Sequence, residues 1–127
     1  MRPVVFAHGM EGSPRGTKAT YLGRELGAVT PDLGDLGLAA QVEAVARALR
    51  DGGPPGVLIG SSLGGLTALG TASRYPRLLA HLVLLAPAVQ VRVPPDRTAE
   101  IESHRPGLVA EMAAFSDLAV PPEVPAT

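Results

Sequence analysis

The sequence predicts an α/β domain in which a parallel sheet of about four strands is joined by crossover helices. Three observations predict it. Short apolar runs without polar alternation, such as Val4-Val5-Phe6-Ala7 and Leu82-Val83-Leu84-Leu85-Ala86, have the pattern of strands buried on both faces. Helix-length stretches separate these runs, which is the order that right-handed crossovers between parallel strands require. Frequent punctuation, with 15 glycines and 13 prolines in 127 residues, suits short elements with sharp ends.

The elements follow in order. Val4-Val5-Phe6-Ala7 reads as the first strand, ending at His8-Gly9. Residues 9–14 then form a loop in which Ser13 is placed as a helix N-cap and Pro14 at the first helical position. That helix runs over about residues 14–26 and stops at Gly27. Ala28-Val29-Thr30-Pro31 reads as a second strand halted by its proline, with Asp32-Leu33-Gly34-Asp35 as the loop at its carboxyl end. From Leu38, the residues Leu38, Val42, Val45 and Leu49 recur at helical spacing, and Gly52-Gly53-Pro54-Pro55 is a strong stop.

Val57-Leu58-Ile59 is the third strand, followed by a helix to about Tyr75 that Pro76 closes. The fourth strand is 82–86, stopped by Pro87. Beyond Ala88 the pattern loosens: 89–97 is interrupted by proline, 99–104 suits a short helix, and 107–115 suits another with Leu108, Met112 and Phe115 on one face. Residues 121–127 read as a proline-rich linker. A single domain is expected over 1–127, with 1–88 as its core and 89–127 as an irregular, partly helical excursion resembling a cap.

Composition narrows the function. Hydrophobic residues make up 46% of the chain, as in a globular protein, and aromatic ones only 3%, so Leu, Val and Ala must build the core. A net charge of −1 without a basic block argues against a nucleic-acid partner. The chain has no cysteine, which removes disulfides and thiolate metal sites and agrees with a cytoplasmic setting. The amino terminus, one Arg and a short apolar run broken by His8, lacks the make-up of a signal peptide. No apolar stretch approaches the ~20 residues of a membrane span. No metal or organic cofactor is indicated.

Chemistry concentrates at Gly60-Ser61-Ser62-Leu63-Gly64, which lies between an apolar run and a small-residue helix. In a strand, turn, helix unit the G-x-S-x-G spacing holds the middle serine on a strained elbow above the carboxyl edge of the sheet. Ser62 is therefore the candidate nucleophile, and Ser61 fills the variable position. A helix opening at Leu63 would aim free amides at a negative oxygen beside Ser62. The plainer alternative is a glycine-rich turn with Ser62 as a helix cap. Gly12-Ser13-Pro14-Arg15-Gly16-Thr17-Lys18 lacks the spacing of a phosphate loop, so Lys18 reads as a solvated helix residue.

Taken together, Phe6-Ala7-His8-Gly9-Met10-Glu11-Gly12-Ser13-Pro14, Pro31-Asp32-Leu33, Gly60-Ser61-Ser62-Leu63-Gly64-Gly65 and Leu82-Val83-Leu84-Leu85-Ala86-Pro87-Ala88 resemble the α/β-hydrolase superfamily. The His-Gly-x-x-x-Ser-Pro opening and small size are most similar to the short bacterial serine esterases of the YqiA-like group. The resemblance implies that Ser62 accepts an acyl group from a small ester or thioester, and that the backbone N–H groups of Met10 and Leu63 form the oxyanion hole. It also implies that His8 shapes its loop and does not take a proton. An acyltransferase would use the same residues.

The chain departs from the family after Ala88. There the acid and the histidine follow the serine on loops after two further strands, and this sequence has no such strands. Its ending resembles the approach to the next strand, as though the chain stops before the segment carrying both partners. Of the histidines after Ser62, His81 lies at the amino edge of the fourth strand, and His104 could fold back as a base oriented by Asp96 or Asp117. A non-catalytic remnant, a binding module and an amino-terminal fragment of a longer hydrolase are the alternatives. The apolar strand 82–86 would be left as an exposed edge, inviting self-association, unless residues 89–127 wrap over it.

Overall fold

The structure is a computed structural model that describes residues 2–10, 12–89 and 93–127. β1 (Val4–Ala7) and β3 (Leu79–Leu85) flank β2 (Gly56–Ser61), and both pair with it in parallel. The registers run from Val4 opposite Val57 to Ala7 opposite Gly60, and from Leu79 opposite Gly56 to Leu85 opposite Ser61. β3 starts earlier than expected and stops at Leu85, because Ala86 takes a positive φ of 43° that no strand accepts.

The expected strand at 28–31 is a single bridge. Val29 donates to Val4 O and accepts from Phe6 N, each at 2.9 Å, and pairing goes no further. Pro31 has no N–H with which to continue the ladder. The opposite edge corrects a second expectation. Leu82 N donates to Pro125 O (2.8 Å), Thr127 N to Leu82 O (2.8 Å) and Leu84 N to Thr127 O (3.0 Å). Residues 125–127 thus pair in parallel with β3 rather than forming part of a linker, and they cover part of the edge in the way the expectation allowed for residues 89–127.

The pleat divides the core. Val5, Ala7, Leu58 and Leu82 point to one face, and Phe6 and Ile59 to the other. The first face carries α2 (Leu38–Asp51), whose Leu38, Val42, Val45 and Leu49 are buried as the spacing predicts, and α3 (Leu63–Arg74). The second face carries α1 (Thr17–Leu26) through Ala19 and Leu22. α1 starts three residues later than expected because Ser13 closes a turn of its own: its carbonyl accepts from Gly16 N (3.0 Å) and its Oγ from Arg15 N (3.1 Å). A short turn of 3₁₀ helix, Pro76–Leu78, links α3 to β3.

The excursion after β3 folds into α4 (Pro95–His104) and α5 (Leu108–Ser116), which bury Ile101, Leu108 and Met112 in the larger core. Two polar contacts fasten it. The Glu111 carboxylate accepts from Leu38 N (3.2 Å) and Ala39 N (3.3 Å), so α5 caps the amino end of α2, where Gly37 offers no side chain. The Arg105 guanidinium donates to Gly34 O.

Candidate active site

Ser62 sits between the end of β2 and the first residue of α3, at φ 56° and ψ −121°. A non-glycine residue there costs on the order of 1–3 kcal/mol and persists only where its surroundings hold it. Three backbone bonds do so: Ser62 N donates to Leu85 O (3.1 Å), and Ser62 O accepts from Gly65 N (2.9 Å) and Ala88 N (2.9 Å). The end of β3 therefore clamps the turn. Ser62 is exposed while Ser61 is 5% exposed, which separates the two serines as the glycine spacing predicts. Ser62 holds the N-cap position of α3, but its side chain makes no cap bond there.

The flanking glycines are needed for close approach. A Cβ on Gly60 would stand 2.5 Å from Gly64 O and 2.7 Å from Ala68 Cβ. One on Gly64 would collide with Ala7 O and lie 2.6 Å from His8 O. Real Cβ contacts essentially never fall below 3.0 Å, so the helix can cross β1 this tightly only without side chains at these points.

The loop after β1 closes the other side. A Cβ on Gly9 would be 3.2 Å from Ser62 Cβ and 3.7 Å from its Oγ, so this loop runs directly beside the serine. His8, 4% exposed, fixes the loop with both ring nitrogens: Nε2 accepts from Leu33 N (3.0 Å) and Nδ1 lies 2.8 Å from Gly9 O. A carbonyl can only accept, so Nδ1 carries the proton and the ring is neutral. With Nε2 committed to Leu33, His8 holds the loop and is not free to take a proton from Ser62. His8→Ala is expected to strand the Leu33 amide and to lower stability by about 1–3 kcal/mol, read as a shifted urea midpoint at unchanged slope.

Two cavities open at Ser62. One of about 530 Å³ runs past Phe6, His8, Gly9, Ser13 and Lys18. The other, of about 270 Å³, lies between the elbow and α4–α5 and is lined by Leu63, Ala88, Val93, Ile101 and Met112. Met10 and Arg97 line both. Among the described residues, neither Met10 N nor Leu63 N has an acceptor within the protein.

The structure thus brings Ser62, Met10 and Leu63 together and leaves His104 apart. His104 is exposed at the end of α4 and lines a third cavity, with Asp35, Arg105 and Glu111, that does not include Ser62. Asp96 is eight residues earlier on the same helix, roughly 12 Å away along the axis, too far to orient the ring. Asp117 lines a further cavity, without His104. His81 bonds Thr127 Oγ1 at 2.7 Å and pairs in register with Val57, roughly 16 Å of strand before Ser62. Asp32 is exposed and accepts from Gly34 N of its own loop at 3.0 Å. Arg97 is the residue that sequence reasoning missed; it stood in a proline-broken stretch where no periodicity marks which way a side chain faces.

A family model described as the alpha/beta hydrolase family matches residues 4–126. Solved structures with the same fold include a monoacylglycerol lipase from Paleococcus ferrophilus, 24% identical, covering 80% of this chain and 47% of that one with a TM-score of 0.58. NosK from Streptomyces actuosus is 26% identical, with coverages of 91% and 59% and a TM-score of 0.59. The enzyme MGS-MChE2, an alpha/beta hydrolase from a lagoon-sediment metagenome, is 25% identical, with coverages of 94% and 58% and a TM-score of 0.52. The chain therefore spans about half to three-fifths of the length of these structures. No curated protein matches it at a significant level. Among the described residues, no helix is long and apolar enough to cross a membrane.

Proposed function

Since the chain belongs to the α/β-hydrolase family, we propose that it carries the nucleophile and oxyanion hole of a serine hydrolase acting on a small ester or thioester. Ser62 Oγ attacks the substrate carbonyl, and the Met10 and Leu63 amides receive the oxygen as it becomes negative. Two fixed donors at such an oxygen are worth several kcal/mol, about 2.7–4 for each donor removed in a comparable enzyme. Collapse of the tetrahedral species expels the alcohol or thiol and leaves an acyl group on Ser62, which water then removes. The observation that carries this reading is the pairing of an exposed serine at positive φ with two amides that have no acceptor among the described residues. The His8-to-Pro14 opening favours the YqiA-like esterases within the family, and the absence of cysteine favours a cytoplasmic setting.

Attack also requires a base for the Ser62 proton, and none of the three histidines in this sequence reaches it: His8 is committed, while His81 and His104 lie elsewhere. That favours a second reading, in which these 127 residues act as part of a longer hydrolase or as a binding module on the same scaffold. The length of the structural neighbours supports the first of these.

Labelling with a fluorophosphonate, with and without added imidazole as a diffusible base, tests the nucleophile directly. The expected adduct maps to Ser62, forms faster with imidazole and is absent from Ser62→Ala. A folded protein that stays unlabelled at Ser62 even with imidazole would overturn the assignment and leave the binding-module reading.

A further inference from the structure

Among the described residues, the charged groups that line the cavities at Ser62 are of one sign. Acidic and basic residues nearly balance over the whole chain, 12 against 11. Yet among the described residues the charged groups lining the about 530 Å³ cavity are Lys18 and Arg97, and no carboxylate lines it. Lys18 is exposed and has no ion-pair partner among the described residues. Arg97 pairs with Glu100 at 2.9 Å, but both side chains are more than half exposed, and one carboxylate leaves several guanidinium donors unused. The Ser13 hydroxyl lines the same cavity, and it can still donate because its bond from Arg15 N uses it as an acceptor.

The about 270 Å³ cavity at Ser62 is lined by Met10, Leu63, Val93, Ile101 and Met112, and also by Arg97. The serine thus stands where an apolar compartment meets a cationic one. Resting on the nucleophile assignment above, we propose that the substrate is an ester or thioester whose acyl chain is apolar and whose alcohol or thiol portion bears an anionic group, a carboxylate or a phosphate. The acyl chain fills the compartment under α4–α5. The anion faces Lys18 and Arg97; because Arg97 lines both cavities and Lys18 only the larger, Lys18 fixes which end of the ester lies on which side of Ser62.

The test is equilibrium binding to the Ser62→Ala protein, so that nothing is turned over. The probes are O-octanoyl glycolate and its uncharged glycolamide counterpart, which differ only in the anion. Two part-exposed cations are expected to give the carboxylate about a tenfold preference at low salt, and added salt should erase it. The same preference should vanish in Lys18→Ala/Arg97→Ala, two exposed positions whose replacement leaves the core intact. Equal affinities, a preference that survives the double substitution, or no binding of either probe would each overturn the inference. Binding does not depend on an activated serine. Failed labelling of Ser62 therefore counts against the nucleophile alone, and lost charge preference in a protein that labels counts against the anion alone.

Discussion

Gly64→Ala is expected to leave no folded protein. The added methyl would run into Ala7 O and stand 2.6 Å from His8 O, and both of these are backbone atoms that cannot swing aside. Ala7 is fixed opposite Gly60 in the sheet, and the following loop is fixed by His8 through Leu33 and Gly9. Relief would have to come from lifting α3 off β1, which separates Leu63, Leu66 and Ala68 from the core they share with Val5 and Ala7. Damage of that kind exceeds the ordinary range for overpacking, about 1–3 kcal/mol, and rivals a whole domain stability of about 5–15 kcal/mol. Circular dichroism and soluble yield would show it. Gly53→Ala is the control: its φ of 88° also disfavours a side chain, but nothing lies within 4 Å, so a loss of only about 1 kcal/mol is expected. A Gly64→Ala protein with native melting would mean that the helix does not cross β1 this closely.

Ester turnover by the 127-residue chain is expected to lie about 10³–10⁴-fold above the uncatalysed reaction, and on the order of 10⁶ below a complete triad. The reason is the placement of the three histidines. Oxyanion donors and binding still act without a base, and they account for that residue of catalysis. Initial rates with a p-nitrophenyl ester, compared with buffer and with Ser62→Ala, would measure it. Turnover near that of a complete serine hydrolase would require a base that the described side chains do not supply. The fluorophosphonate experiment with imidazole would then show no dependence on the added base.

Much of this was legible in the sequence because it is local. The run into β2, the glycines at 60 and 64 and the small residues after them specify the elbow within about a dozen positions, and Ser62 takes the positive φ that the spacing implies. The α2 stripe was equally plain, since its four apolar positions all face one side. Errors arose where two local conformations compete or where distant residues decide. Ser13 and Pro14 look like a helix start, yet the chain spends Ser13 on a turn and opens α1 at Thr17. Residues 28–31 have strand-forming side chains, but only Val29 reaches β1. Residues 125–127 look like linker and are held to Leu82 and Leu84 by backbone bonds to which sequence patterns are blind. Arg97 belongs to the same class: its place beside Ser62 depends on how α4 docks, and no spacing in the chain encodes that.

The bond between Glu111 and the amino end of α2 joins residues 73 positions apart. Met112, the next residue, is part of the wall of the apolar compartment, while Leu38 lies in the central core. One carboxylate thus ties a helix that walls this compartment to one that does not line it. Cutting that tether would leave the elbow intact and let the wall drift, so the fit of long and short acyl chains would change before the serine itself was disturbed.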